Sequence, residues 1–314
     1  MLRLRQLKSM QKLRIAILLL VAATACADVV RGTSIRTASI YLSPDSSSTK
    51  LGEIDRGREV VVLETSRDWI HVEAALSEEK TLTGWMQDKG VVRASTPNGD
   101  KILFGEAADS EDEASRRHGR RGAAQDAMRL YYRSAEYFPS SPLAAEAMYR
   151  SADIRWQIEK DDVMSRPSAR EKEAYMREGM EEQYMKEVIK KFPGTKWADL
   201  AAFHLIDNKL CGEWQASSKC PEKEAEIYEK YAAEHAQSPA VAEALYDAAW
   251  RKSALIEIYK TENQPKKSDE AKAQAIALAQ KAATQFPQSD WAARAQRLLY
   301  MIEQNIPTYG NAEE

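Results

Sequence analysis

The stretch "FPSSPLAAEAMY" (residues 138–149) returns in three related forms along the second half of the chain. They are "FPGTKWADLAAF" (192–203), "HAQSPAVAEALY" (235–246) and "FPQSDWAARAQR" (286–297). The copies start 54, 43 and 51 residues apart. Self-similarity at such intervals is typical of helical hairpins with insertions between them. The stretch therefore predicts a repetitive, all-α region.

Each aligned column of the repeat has a physical role. Pro at 139, 193 and 287 ends a helix, because Pro lacks the amide donor and restricts the residue before it. A hydroxyl column caps the next helix, and its members are Ser141, Thr195, Ser238 and Ser289. In two copies a Pro (142, 239) follows and fits the first helical position. A small-residue column lets neighbouring helices approach closely, and its members are Ala147, Ala201, Ala244 and Ala295.

The arrangement resembles tetratricopeptide (TPR-like) repeats, especially the "YPxSxxAxxA" variety found in envelope lipoproteins. The resemblance covers residues 123–305 and leaves 306–314 as a C-terminal tail. It implies an all-α solenoid that offers a concave surface to a protein or peptide partner. Within it we predict a leading helix, three hairpins and a closing helix, at 123–138, 141–192, 195–236, 238–286 and 289–305.

The composition changes near residue 94, and the region before it is rich in strand signals. "REVVVLE" (58–64), "DWIHVEA" (68–74) and "LTGWM" (82–86) alternate with polar breaks, which predicts a small barrel or sandwich. We interpret Trp69 and Trp85 as its core, with a stacking surface for sugar or peptide as the alternative.

Residues 33–93 are similar to the bacterial SH3 (SH3b) domain, through "KLGEIDRGREVVVLETSRDWIHVEA" (50–74) and "GWM" (84–86). The family is associated with cell-wall peptides and glycans, so the resemblance implies peptidoglycan as a candidate ligand. The candidate ligand contacts are Tyr41, Ser43, Asp45 and Trp69. The predicted fold class is thus multidomain: a small all-β SH3-like barrel followed by the helical solenoid.

Residues 94–122 are predicted to be a charged linker between these two parts. The acids at 109–113 can pair at i,i+4 with Arg116 and Arg117, while Gly119 and Gly122 weaken a continuous helix. We expect a solvated, partly helical hinge, and the alternative is an arginine patch for lipid or wall phosphate.

The N-terminus predicts export. Residues 1–14 carry Arg3, Arg5, Lys8, Lys12 and Arg14, and residues 15–25 are uncharged and mostly apolar. A basic stretch, a short apolar core and small residues at a cut site form a signal peptide, here residues 1–25.

Two cleavage products fit this signal peptide. Small residues before Cys26 resemble the lipobox of bacterial lipoproteins, which implies a lipid on Cys26 and a membrane anchor on the periplasmic side. Ala23-Thr24-Ala25 also suits ordinary signal cleavage, which gives a secreted protein. We favour the lipoprotein and leave inner or outer membrane open.

The charge balance argues against nucleic acid as a partner. Loss of residues 1–25 removes five of the 45 Lys and Arg residues and none of the 48 Asp and Glu, which leaves a net charge near −8. Nucleic-acid backbones attract proteins with a basic face.

Cys211 and Cys220 stand nine positions apart in "CGEWQASSKC" (211–220). A zinc site needs three or four ligands, and no further Cys or His lies in this stretch. In an oxidising envelope the pair favours a disulfide that joins the two helices of the middle hairpin.

Catalytic motifs are missing from the sequence. It contains no phosphate-binding loop, no dinucleotide-binding glycine run and no nucleophile elbow, and its four His residues have no close ligand spacing. We interpret the carboxylates at 222, 224 and 226 as a solvated helix face and Trp156, Trp214 and Trp250 as hairpin packing, with a binding groove as the alternative for the tryptophans. The predicted protein is a non-enzymatic envelope scaffold without cofactor or metal. A cell-wall hydrolase, or the regulatory subunit of one, is the alternative.

Overall fold

A computed structural model describes residues 29–76 and 80–309. The first part of this region forms one curled antiparallel sheet with the strand order β3-β2-β6-β5-β4-β1-β7. Its strands are β1 (Arg31–Ser34), β2 (Ala38–Tyr41), β3 (Lys50–Ile54), β4 (Glu59–Ser66), β5 (Trp69–Ala75), β6 (Thr81–Gln87) and β7 (Val91–Val92). The three strands predicted from sequence correspond to β4, β5 and β6.

The core of the sheet lies on its inner face. Along β5, Ile70, Val72 and Ala74 are buried while the residues between them are not. This period of two places alternate side chains on opposite faces. The inner-face cluster comprises Ile40, Ile54, Val60, Ile70, Val72, Ala74, Met86 and Val91.

From Gly99 onward the described chain is helical. Its α-helices are α1 (Gly99–Ser115), α2 (Ala123–Tyr137), α3 (Ala144–Met164), α4 (Gln183–Lys191), α5 (Lys196–His204), α6 (Lys219–Glu234), α7 (Val241–Thr261), α8 (Pro265–Gln285) and α9 (Asp290–Glu303). The predicted leading and closing helices correspond to α2 and α9. None of the helices in the described region is both long and apolar enough to cross a membrane.

Most helices that follow one another in the chain pack together, with α5 and α6 as the exception, and the two larger hydrophobic clusters of the described helices result. One cluster joins α1–α5, and the other runs from residues after α5 through α9. All four members of the small-residue column are fully buried, which confirms their predicted role: Ala147, Ala201, Ala244 and Ala295. The TPR-like type of the repeat and its solenoid arrangement stay predictions.

Two copies of the repeat are capped as predicted and two are not. Thr195 and Ser289 each accept a hydrogen bond from the amide three residues later, at 3.2 Å. In the Ser-Pro copies the hydroxyls of Ser141 and Ser238 accept from the amide two residues later, and the helices begin only at Ala144 and Val241. The prediction that Pro142 and Pro239 occupy the first helical position is therefore wrong, because the hydroxyl closes a turn before the helix starts.

The segment 94–122 is not the solvated, partly helical hinge that its charges suggested. Residues 99–115 form α1, and this helix buries Leu103 and Ala107 against α2. Asp112 near the end of α1 pairs with Arg116, the residue that follows the helix. One apolar stripe was enough to dock a segment whose average composition is polar.

The sheet sits directly on the helices. Gly57 has a φ of +78°, and an added Cβ there would lie 2.8 Å from Cβ of Arg129 on α2. Tyr137 donates from its hydroxyl to Glu59 of β4 at 3.0 Å and accepts from Thr33 of β1 at 3.2 Å. These contacts fix the position of α2 against β1 and β4.

The disulfide between Cys211 and Cys220 is present, with Cα atoms 6.1 Å apart, and its loop joins α5 to α6. The insertion at 161–183 ends α3 and continues as two 3₁₀ turns, Pro167–Arg170 and Ala174–Met176. The predicted signal peptide and lipid site at Cys26 lie outside the described residues.

Candidate ligand-binding surfaces

Four aromatic side chains gather on the outer face of the sheet. Tyr41 and Trp69 meet edge to face with ring centroids 5.7 Å apart. His71 and Trp85 stack with centroids 5.0 Å apart and planes inclined by 28°. All four are half-buried, so each keeps part of its ring exposed to solvent. We call this group the aromatic cluster.

Strand register explains how the aromatic cluster assembles. Trp69 and His71 lie two apart on β5, and His71 faces Trp85 across the β5–β6 pair. Tyr41 in turn faces Trp85 across the β2–β6 pair. Directly opposite residues on one face are in contact distance, so the antiparallel pairing alone brings three strands' aromatic residues together.

The interpretation of Trp69 and Trp85 as barrel core is wrong, and the stacking-surface alternative describes their position. Their neighbours Ile70, Gly84 and Met86 point inward and are buried. A side-chain period of two then forces both tryptophans outward. The inner face is filled by aliphatic side chains and needs no Trp.

The remaining candidate contacts, Ser43 and Asp45, lie in the exposed turn that follows Tyr41. Both carboxylate oxygens of Asp45 accept hydrogen bonds from Ser47, one from its amide at 2.9 Å and one from its hydroxyl at 2.8 Å. These bonds lower the pKa of Asp45. The geometry gives Asp45 a role in shaping the turn beside the aromatic cluster.

A second aromatic surface lies on the helices. Tyr149 of α3 packs on Trp197 of α5, and its hydroxyl lies 3.1 Å from Nε2 of His204. The same His204 nitrogen lies 3.1 Å from a carboxylate oxygen of Asp153. Tyr149 and His204 belong to different copies of the repeat, so no local signal in the sequence pairs them.

Glu243 of α7 lies half-buried near His204 at the helical aromatic surface. Burial and then the charge of Asp247 raise the pKa of Glu243 to about 7, and Asp207 adds to this effect. The charges of His204 and Arg294 lower the pKa of Glu243.

Trp156 and Trp214 are buried, which confirms hairpin packing for both. The indole of Trp156 donates to Asp207 at 3.2 Å, and that of Trp214 donates to Glu224 at 3.1 Å. Trp250 is half-buried and packs on Trp214, with ring centroids 5.1 Å apart. Trp214 and Trp250 also line a cavity of about 550 Å³, together with Arg251 and Tyr309, so the groove alternative stays open for these two.

Glu224 is buried, so its interpretation as part of a solvated face is wrong. It is 2% exposed and accepts from the amide of Cys211 at 2.9 Å and from Nε of Arg251 at 2.9 Å. The spacing in the sequence indicates that Glu224 is buried. It lies four residues after Cys220 and four before Tyr228, so the three share one helix face. The buried carboxylate ties the disulfide loop to α7.

Groups of three or more His, Cys, Asp or Glu side chains that could hold a metal ion are not found among residues 29–76 and 80–309.

Comparisons with known proteins identify one domain. Residues 36–92 match the family "Bacterial SH3 domain", within the predicted span of 33–93. A solved structure titled "DHF58 filament" is 16% identical over 65% of this chain and 91% of that chain, with a TM-score of 0.23, which carries no argument about fold. A search of curated proteins gives no match. The chain thus contains a bacterial SH3 domain followed by a helical region, and domains of this family commonly bind peptidoglycan.

Proposed function

We propose that this protein is a non-enzymatic scaffold of the cell envelope that contacts peptidoglycan through its bacterial SH3 domain. The observation that carries the proposal is the aromatic cluster, where Tyr41, Trp69, His71 and Trp85 leave partly exposed rings on the outer face of the sheet. Half-exposed aromatic rings suit the apolar faces of sugars and peptides. The helical repeats then serve a second partner.

That second partner is a protein or peptide, bound at the helical aromatic surface around Tyr149, Trp197 and Glu243. A lipid on Cys26 would hold the scaffold at the membrane on the periplasmic side. A Cys26→Ser variant should then move from the membrane fraction to the soluble fraction of the envelope.

Co-sedimentation with purified cell-wall sacculi tests the wall contact. The chain from residue 27 contains every residue the structure describes, and we expect it to pellet with sacculi. Trp69→Ala should weaken this binding at least about tenfold. At binding surfaces, truncation of an aromatic anchor residue loses more binding free energy than truncation of most other residues. Tyr300→Ala is the matched control, since Tyr300 is an exposed aromatic residue of α9 away from the sheet.

Two results would overturn the proposal. Equal pelleting of the Trp69→Ala protein and the unchanged protein would remove the aromatic cluster as the wall contact. Clearing of sacculi in a zymogram, abolished by one carboxylate substitution, would establish the hydrolase alternative.

A further inference from the structure

A cleft of about 430 Å³ lies between the sheet and the helices. Strands β4 and β5 form one wall, and helices α2, α3 and α4 form the other. Its charged lining consists of Arg58, Arg129, Arg133, Arg155, Glu59 and Glu73. Carboxylates pair with Arg58, Arg129 and Arg133, whereas Arg155 has no such partner among the described residues. We call this cleft the arginine cleft.

Two of these arginines are held by the protein itself. Arg129 donates from Nε to the carbonyl of Arg56 at 3.1 Å and pairs with Asp126. Arg133 lies 3.3 Å from Glu59 and also pairs with Glu136. These contacts hold α2 against β4 and fix the shape of the cleft.

Arg58 is held by the protein as well, whereas the N–H groups of Arg155 are free for a ligand. Arg58 pairs through Nε with Asp55 at 3.5 Å and donates from Nη1 to the carbonyl of Ala75 at 3.3 Å. The guanidinium of Arg155 lies over the ring of Tyr184, 3.9 Å from its centroid, and has no carboxylate partner within 4.0 Å in the part of the chain that the structure describes. Stacking on an aromatic ring holds a guanidinium in place while its N–H groups stay free to donate.

The arginine cleft is continuous with the aromatic cluster. Glu73 lines the cleft and lies two residues after His71 on β5, so both side chains project from the outer face. A ligand that stacks on His71 and Trp85 therefore extends along β5 into the cleft. Such a ligand needs an apolar ring surface at one end and an anionic group at the other.

We propose that the arginine cleft binds a free carboxylate on the peptide branch of peptidoglycan, with Arg155 as its donor. This inference rests on the proposed wall-binding function and adds the part of the wall that is recognised. The planar guanidinium fork matches a carboxylate with two parallel hydrogen bonds. The sugars of the glycan strand lack such a group, so the cleft selects the peptide.

Isothermal titration with two synthetic probes tests the proposal: a stem tetrapeptide with free carboxylates, and the same peptide with every carboxylate amidated. We expect the chain from residue 27 to bind the free acid at least about tenfold more tightly, because hydrogen bonds between charged groups are stronger than neutral ones. Arg155→Gln should bring the affinity for the free acid down to that for the amide. Arg155→Lys keeps the charge but loses the planar fork. Its affinity for the free acid should therefore lie between that of the unchanged protein and that of Arg155→Gln.

Arg297→Gln is the matched control, because Arg297 is an exposed arginine of α9. Thermal melting of each variant shows that the fold is intact. Equal affinity for the two peptides, or an Arg155→Gln protein that binds the free acid like the unchanged protein, overturns the proposal.

Sacculus pelleting separates this failure from failure of the proposed function. If the protein pellets through Trp69 but Arg155→Gln changes nothing, the wall contact stands and the cleft assignment falls. If free-acid binding depends on Arg155 but the protein does not pellet, the cleft binds peptide carboxylates and the wall assignment falls.

Discussion

Tyr149 of the first repeat packs on Trp197 of the second, with ring centroids 5.3 Å apart and planes inclined by 31°. Tyr246 and Trp291, which hold the same two columns in the third and fourth repeats, also lie 5.3 Å apart, at 38°. Between the second and third repeats Ala240 replaces the Trp, and Phe203 packs instead on Tyr231 at 5.0 Å. Aromatic contacts thus join each pair of neighbouring repeats.

Trp197→Ala should lower the free energy of unfolding by about 2 kcal/mol. A fully buried Trp→Ala costs about 3–5 kcal/mol, and Trp197 is only half-buried. Urea unfolding measures the change. Tyr300→Ala, at an exposed site, should change it by less than about 0.5 kcal/mol. Equal effects of the two substitutions would contradict the joining role of Trp197.

Gly57→Ala should destabilise the junction between sheet and helices by about 1–3 kcal/mol. The new methyl group would clash with Arg129 and sit on a backbone with φ of +78°. Thermal unfolding compares it with Gly105→Ala in α1, where an added Cβ meets nothing within 4 Å. This control should gain about 0.5–1 kcal/mol through better helix propensity. A neutral Gly57→Ala would show that α2 is not held close to that turn.

Arg251→Met should destabilise the protein by about 3–5 kcal/mol, because Glu224 would keep a buried charge without its partner. The double variant Glu224→Leu/Arg251→Met should lose less than the single one, since no unpaired charge remains. Urea unfolding of both proteins, with the disulfide kept oxidised, gives the comparison. A double variant that is less stable than Arg251→Met would show that the hydrogen bonds to Cys211 and Trp214 matter more than the charge.

Glu243 should make stability fall as the pH rises from about 4.5 to about 7. Burial and the charge of Asp247 raise its folded-state pKa to about 7, so the folded chain keeps a proton that the unfolded chain has lost. The stabilisation is complete below pH 4.5 and disappears as the pH passes 7. Glu243→Gln should therefore match the unchanged protein near pH 4.5 and exceed its stability near pH 7.5. Urea midpoints at the two pH values measure this, and parallel pH curves for the two proteins would rule it out.

In the sheet, the local sequence pattern predicts the positions of strands but not which face of the sheet is buried. Strands β4 to β6 were predictable because "REVVVLE", "DWIHVEA" and "LTGWM" alternate between polar breaks. The face of the sheet on which Trp69 and Trp85 lie was not predictable from the sequence. Alternation assigns residues to two faces, but it does not show which face packs against the core. The apolar residues of the inner face decide this, and they come from six strands.

In the helical region, too, some features follow from local sequence and others depend on tertiary packing. Pro and hydroxyl signals act within a few residues, so they predicted the outer ends of the three hairpins to within about three residues, but not the ends of α1 or the breaks inside a hairpin. The docking of α1, whose composition suggested a solvated linker, depends on an apolar partner surface on α2. The burial of Glu224 likewise depends on Arg251, 27 residues away.

The sequence by itself determined the order of elements, the repeat with its buried alanine column, the bacterial SH3 domain and the Cys211–Cys220 pair. These follow from signals between residues close in the chain or from a pattern that recurs along it. Only the tertiary structure decided that the aromatic cluster faces outward and that arginines from the turn before strand β4 and from helices α2 and α3 meet in one cleft. Both depend on which surfaces come together, and that is settled by packing between residues far apart in the chain.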